Sequence, residues 1–181
     1  MTAVVASLSC SLLTRMLPSV RNRKAFPPDS LSTIGYTSGT TGHPKGACLS
    51  HRSIVLNVAM TALMHQRSDR DTVVTALPCP HVYGNVVMSG AVQSGMTLVL
   101  HPVFDEQAVL ESIQTHRATM FEGVPTMFMF LLNHPDLDRY DLSSLRCCTV
   151  GGQTMPKPSS PRPSQKLSLR PDILRSSGEE L

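Results

Sequence analysis

The stretch Tyr36-Thr37-Ser38-Gly39-Thr40-Thr41-Gly42-His43-Pro44-Lys45-Gly46 decides how this chain is read. Glycine lets a backbone turn tightly and brings its N–H groups up to a ligand. A run of such N–H groups forms a nest for an anion. The hydroxyls of Thr37, Ser38, Thr40 and Thr41 can donate to phosphate oxygens, and Lys45 adds a mobile positive charge. Ser32 to Tyr36 reads as a short strand ahead of the loop. About Ser50 to Gln66 reads as a helix behind it, with Ser50 as N-cap and Ile54, Val58 and Leu63 at helical spacing. Strand, loop and helix in that order suit a phosphate-binding loop. The plain alternative is a Gly/Ser/Thr surface loop; the lysine, the hydroxyls and the flanking elements weigh against it. The loop is not of the G-x-x-x-x-G-K-[ST] kind, because Pro44 stands where the second glycine belongs and Lys45 precedes Gly46 instead of following it.

Beyond the loop, short apolar runs alternate with helical patterns. Ser68 to Asp71 is a polar turn, and Thr72 to Leu77 and Met96 to Leu100 read as buried strands. Asp105 to Arg117 reads as a helix: acids open it, His116 and Arg117 close it, and Val109, Leu110 and Ile113 share a face. Ala118 to Phe121 is a strand. Pro125 opens a short helix to Leu132, and Leu145 to Val150 is a last strand running into Gly151-Gly152. Alternating strands and helices predict an α/β fold with a mostly parallel sheet and flanking helices.

The loop resembles the signature of the adenylate-forming superfamily, which includes acyl-CoA synthetases, luciferases and the adenylation domains of peptide synthetases. Its pattern, roughly [ST]-S-G-[ST]-T-G-x-P-K-G, is met at every fixed position from Thr37 to Gly46. Three further segments are similar to that family's and fall in its order. These are Leu77 to Gly84 with His81, Gly123 to Met127, and Leu142 to Arg146 running through Val150-Gly151-Gly152. Taken alone, His81 beside a proline reads as structural, Pro125 as a helix opener, and a strand ending in two glycines as commonplace.

The resemblance covers about residues 31–156. It implies part of the large N-terminal domain of such an enzyme, preceded by a leader (1–30) and followed by a tail (157–181). It further implies ATP-dependent activation of a carboxylic acid, most simply a fatty acid, to an acyl-adenylate and then an acyl-CoA. ATP, Mg2+ and coenzyme A would take part. Thr37, Ser38, Gly39, Thr40, Thr41, Gly42 and Lys45 would hold the ATP phosphates. His81, Gly151, Gly152 and Gln153 would border the acyl group and nucleotide. Met127 to Phe130 could line an acyl pocket, against the plainer reading as core. The family's adenine-binding and ribose-binding segments and its C-terminal lysine have no counterpart here, so a truncated or frame-shifted product, inactive and weakly stable alone, is expected. Two other readings stand beside this one: a non-catalytic nucleotide- or protein-binding remnant, and an adenylation domain for an amino or aryl acid.

Composition fits a globular chain. Of 181 residues, 41% are hydrophobic and 16% charged, and the net charge of +3 is too small to argue for nucleic acid or an anionic membrane, so no nucleic-acid partner is expected. Five cysteines, with no C-x-x-C spacing, suggest neither a disulfide framework nor a zinc site, so a reducing cytoplasm is expected. The longest apolar run, Met127 to Leu132, falls far short of the ~20 residues that span a bilayer. The leader ends in Pro27-Pro28-Asp29. The tail is rich in proline and serine from Pro156 onward and is expected to be disordered.

Overall fold

Val73, Val74, Leu98, Val99, Met120, Phe121, Cys147 and Cys148 supply the inner surfaces of one sheet, and all are buried. In the computed structural model, residues 3–7, 26–37, 43–152 and 174–176 are described. The strands of the main sheet are β1 (Val4–Ser7), β4 (Thr72–Thr75), β5 (Thr97–Leu100), β6 (Met120–Gly123), β7 (Cys147–Val150) and β8 (Leu174–Ser176). Their spatial order is β1-β5-β4-β6-β7-β8. Every pairing is parallel except that of β1 with β5. A second sheet is the antiparallel hairpin of β2 (Leu31–Thr37) and β3 (Lys45–Ser50).

The helices are α1 (His51–Met64), α2 (Val82–Ser94), α3 (Glu106–Thr115) and α4 (Pro125–Leu132). Consecutive residues of a strand face opposite ways. Val73, Leu98, Met120 and Cys147 therefore pack with Val87 and Ala91 of α2 on one face. Val74, Val99, Phe121 and Cys148 pack with Val109 and Ile113 of α3 and Phe128 of α4 on the other. Cover on both faces explains why these strands are apolar without alternation. Each large side chain so buried contributes about 1.5–3 kcal/mol.

Local signals set the boundaries. Ser50 caps α1, its side chain accepting from the Ser53 N–H, and Asp105 caps α3 by accepting from the Ala108 N–H at 2.8 Å. α2 ends at Gly95, whose φ of 71° is the left-handed stop that glycine takes most easily. Two elements depart from the sequence reading. The phosphate-type loop is followed by the strand β3, not directly by a helix, so it closes a hairpin and α1 starts only at His51. The chain from Val82 to Ser94, given no element above, is the helix α2.

The leader and the tail each supply an edge strand, pairing β1 with β5 and β8 with β7. Free strand edges carry unpaired N–H and C=O groups, which is the physical reason for such pairing. Phe26 stacks on His51 with ring centroids 5.4 Å apart, and Asp29 pairs with Arg52 at 2.8 Å.

Candidate active site

β4 leads through α2 to β5 on one side, whereas β6 leads through α4 to β7 on the other. Adjacent strands whose connections part in this way open a crevice beyond their C-terminal ends, where α/β proteins bind ligands. The segments at that crevice are Ala76 to His81 after β4, Val124 and Pro125 after β6, and Gly151-Gly152 after β7.

His81 is the N-cap of α2, and its Nδ1 accepts from the Tyr83 N–H at 3.3 Å. With Nδ1 accepting, a neutral imidazole carries its proton on Nε2. The ring is exposed. The entry into α2 is tight: a β-carbon on Gly84 would stand 2.2 Å from the Pro78 carbonyl oxygen, so only glycine fits. Tyr83 reaches across to β7, donating its hydroxyl to the Thr149 carbonyl at 3.1 Å. Its ring fills the space beside Gly151, where a β-carbon would meet it at 2.6 Å. The Gly151 N–H donates to the Gly123 carbonyl at 3.2 Å, and Gly152 has φ +91°. His81, Tyr83 and Gly151 thus meet at one end of the sheet.

The phosphate-type loop belongs to the hairpin. Thr37 ends β2 opposite Lys45, which begins β3 and is exposed. Ser38, Gly39, Thr40, Thr41 and Gly42 lie outside the described residues, as does Gln153. On α4, Phe128 is core, edge-on to Phe121 at 5.1 Å, while Met129 and Phe130 are exposed. The Met/Phe stripe therefore splits between core and surface. Among the described residues no group of three or more His, Cys, Asp and Glu side chains is placed to hold a metal ion. No helix among them is long and apolar enough to cross a membrane.

A buried ion pair that no sequence pattern marks lies beneath the crevice. Arg67 Nη2 donates to Glu122 Oε1, and both side chains are fully buried. Burial drives the Glu122 carboxyl above its ordinary range, and the charge and hydrogen bond of Arg67 pull it back only in part. Burial, and then the Glu122 charge, push the Tyr83 phenol up. A lone glutamate near the end of an apolar run gives no sequence signal of burial.

A second pair, at the opposite end of the strands, is structural. Arg146 grips both oxygens of Asp71 at 2.8 and 2.7 Å and donates to the carbonyls of His65 and Gln66.

A family model described as AMP-binding enzyme matches residues 6–167. The chain is 38% identical over 136 residues to a long-chain-fatty-acid–CoA ligase of Bacillus subtilis, covering 74% of this chain and 24% of that protein. It is 37% identical over 148 residues to an indoleacetate–CoA ligase of Aromatoleum aromaticum, covering 81% and 29%. The o-succinylbenzoate–CoA synthetase of Bacillus subtilis, solved in complex with AMP, superposes with a TM-score of 0.65 at 35% identity, covering 72% of this chain and 26% of that one. The chain thus spans about a quarter of the length of these relatives. With a family match over most of its residues and the adenylate-forming fold in its sheet, the chain belongs to the AMP-binding enzyme family.

Proposed function

We propose that this chain carries the phosphate-binding and acyl-side parts of an acid–thiol ligase that activates an apolar carboxylic acid, in the first instance a fatty acid. The observation that carries this reading is the loop from Thr37 to Gly46, which lies within the residues matched by the AMP-binding family. The relative at 38% identity is a long-chain-fatty-acid–CoA ligase. In the first step a carboxylate oxygen attacks the α-phosphorus of ATP. The bond to the β-phosphate oxygen breaks, leaving an acyl-adenylate and pyrophosphate. In the second step the thiolate of coenzyme A attacks the acyl carbon and AMP leaves.

The first step asks the protein for position and charge stabilisation. Thr37, Ser38, Gly39, Thr40, Thr41 and Gly42 offer hydroxyl and backbone donors to the β- and γ-phosphates, with Lys45 as the counter-charge. Mg2+ arrives with the nucleotide phosphates. His81, with a proton on Nε2, suits a carboxylate, and the side-chain-free Gly152 lets the acyl-adenylate approach the backbone, with Gly151 packed against Tyr83 at the border of that site. Gln153 completes that border. The free thiols of Cys48, Cys79, Cys147 and Cys148 suit a reducing cytoplasm. An aryl acid is the second reading, favoured by the indoleacetate–CoA ligase, which matches over 81% of this chain.

Lys45→Ala tests the assignment. Calorimetric titration is expected to show ATP binding weakened roughly tenfold or more, the loss of one charge-assisted contact. AMP, which lacks the β- and γ-phosphates, should lose much less. Unchanged ATP affinity would remove the loop from the nucleotide site.

A further inference from the structure

A helix on the outside of a protein ordinarily turns a polar, charged face to water. α1 and α2 do not. Among the 14 residues of α1 and the 13 of α2, only Arg52 is Asp, Glu, Lys or Arg, and it is already paired with Asp29 at 2.8 Å. α1 points its one buried residue, Val58, into the protein. On the opposite side Leu56 is 55%, Met60 64% and Leu63 79% exposed, with Val55 and Met64 exposed at the flanks. Single apolar residues on a surface are ordinary, but a continuous line of them marks a contact.

The shape of the line says what it meets. Leu56, Met60 and Leu63 stand four and then three residues apart. That is the spacing of a narrow seam by which one helix packs on another, each side chain entering a hole in the facing helix. The seam is also symmetric, with Met60 at its middle and a leucine toward either end. An antiparallel copy of α1 laid across it puts Leu56 opposite Leu63 of the partner subunit and sets Met60 against Met60 of the partner subunit. A two-fold interface needs a surface that matches itself in this way. Charge points to the same occupant. A charged face repels its own copy; this one carries nothing to repel, and the centres of protein interfaces are poor in charge. A lipid surface would call for Lys and Arg around the apolar face, and α1 offers only the paired Arg52.

We propose that the outward face of α1 is a self-association surface, on which two copies of this chain pair antiparallel, seam to seam, about a two-fold axis beside Met60. The helix is pinned at both ends. Phe26 stacked on His51 and Asp29 bonded to Arg52 hold its start, and Arg146, donating to the carbonyls of His65 and Gln66, holds its end. Association therefore orders little that is not already ordered. Five side chains make a small patch, so the dimer is weak and dissociates on dilution. The inference does not depend on what the crevice binds.

Sedimentation equilibrium of the whole chain without nucleotide is the test, so it stands apart from the Lys45 experiment. The parent should move from the monomer mass toward twice that mass as its concentration rises. Met60→Glu and Met60→Lys each bring like charges face to face beside the axis and should raise the dissociation constant about a hundredfold or more. Mixing the two variants in equal amounts should restore pairing, because the facing charges are then of opposite sign. Val103→Glu, at an exposed residue between β5 and α3, should associate as the parent does. Met60 and Val103 both lie outside the core, so each variant should keep the parent's urea midpoint. A parent that stays monomeric at every concentration would overturn the proposal, whether another stretch of the chain covers the face or none does. So would association that survives both Met60 variants, association lost equally in Val103→Glu, or a mixed sample that pairs no better than either variant alone.

Discussion

Tyr83 occupies the space that a side chain on Gly151 would need: a β-carbon there would lie 2.6 Å from Cε1 and 3.0 Å from Cδ1 of the phenol ring. The ring cannot swing away freely, because its hydroxyl is bonded to the Thr149 carbonyl. Gly151→Ala should therefore cost about 1–3 kcal/mol, the usual range for overpacking. The midpoint of urea unfolding reads this loss. Most of it should vanish in a Tyr83→Leu background, since coupled neighbours do not add. Equal losses in both backgrounds would mean that the clash lies elsewhere.

Gly84→Ala faces backbone, not a side chain. The added methyl would sit 2.2 Å from the Pro78 carbonyl oxygen, in a segment also tied by the His81 N–H to that same oxygen at 3.0 Å. The turn and the start of α2 must separate. A loss of about 3 kcal/mol or more is expected, at the upper end for overpacking. A variant with an unchanged unfolding midpoint would show that the turn yields without cost.

Asp71 sets an acid limit on stability. Burial opposes its ionisation but is outweighed by hydrogen bonds from Arg146, Thr119 and Ser68, which bring its pKa down from 3.8 to about 2. A carboxyl with a depressed folded pKa stabilises in full above its unfolded value and loses that contribution as pH falls through the folded one. The window is therefore about pH 4 down to about pH 2, and the contribution about 2 kcal/mol. Asp71→Asn should lower stability at neutral pH and flatten its dependence across that window, as followed by urea unfolding at stepped pH. A slope equal to that of the parent would place the acid sensitivity on another carboxyl.

His81 holds two roles that substitution can separate. As N-cap of α2 it accepts from the Tyr83 N–H. His81→Ala should cost about 1 kcal/mol of stability, and His81→Ser, which restores a capping oxygen, should recover most of it. If His81 also meets the acid, His81→Ser should recover stability but not acid-dependent release of pyrophosphate from ATP by the ligase. Recovery of both by serine would reduce His81 to a cap.

Sequence by itself determined the α/β class and the parallel strands, because two-sided burial demands apolar runs such as Thr72-Val73-Val74-Thr75 and Cys147-Cys148-Thr149-Val150. It also determined the cap at Ser50, the acidic start of α3 at Asp105, the opening of α4 at Pro125, and the family through the loop at residues 37–46. These are local properties: a capping oxygen, a missing N–H or a fixed string of glycines and hydroxyls acts within a few residues. Tertiary structure alone decided that Lys45 to Ser50 is a strand, since its partner Leu31 to Thr37 lies across the loop. It decided that Val82 to Ser94 is a helix, although two glycines and several valines lower its propensity, because the sheet face and α1 give its apolar side somewhere to pack. It also decided the meeting of Arg67, Tyr83, Glu122 and Gly151. Their contacts join residues far apart in the chain, and the register of β4, β6 and β7 creates them.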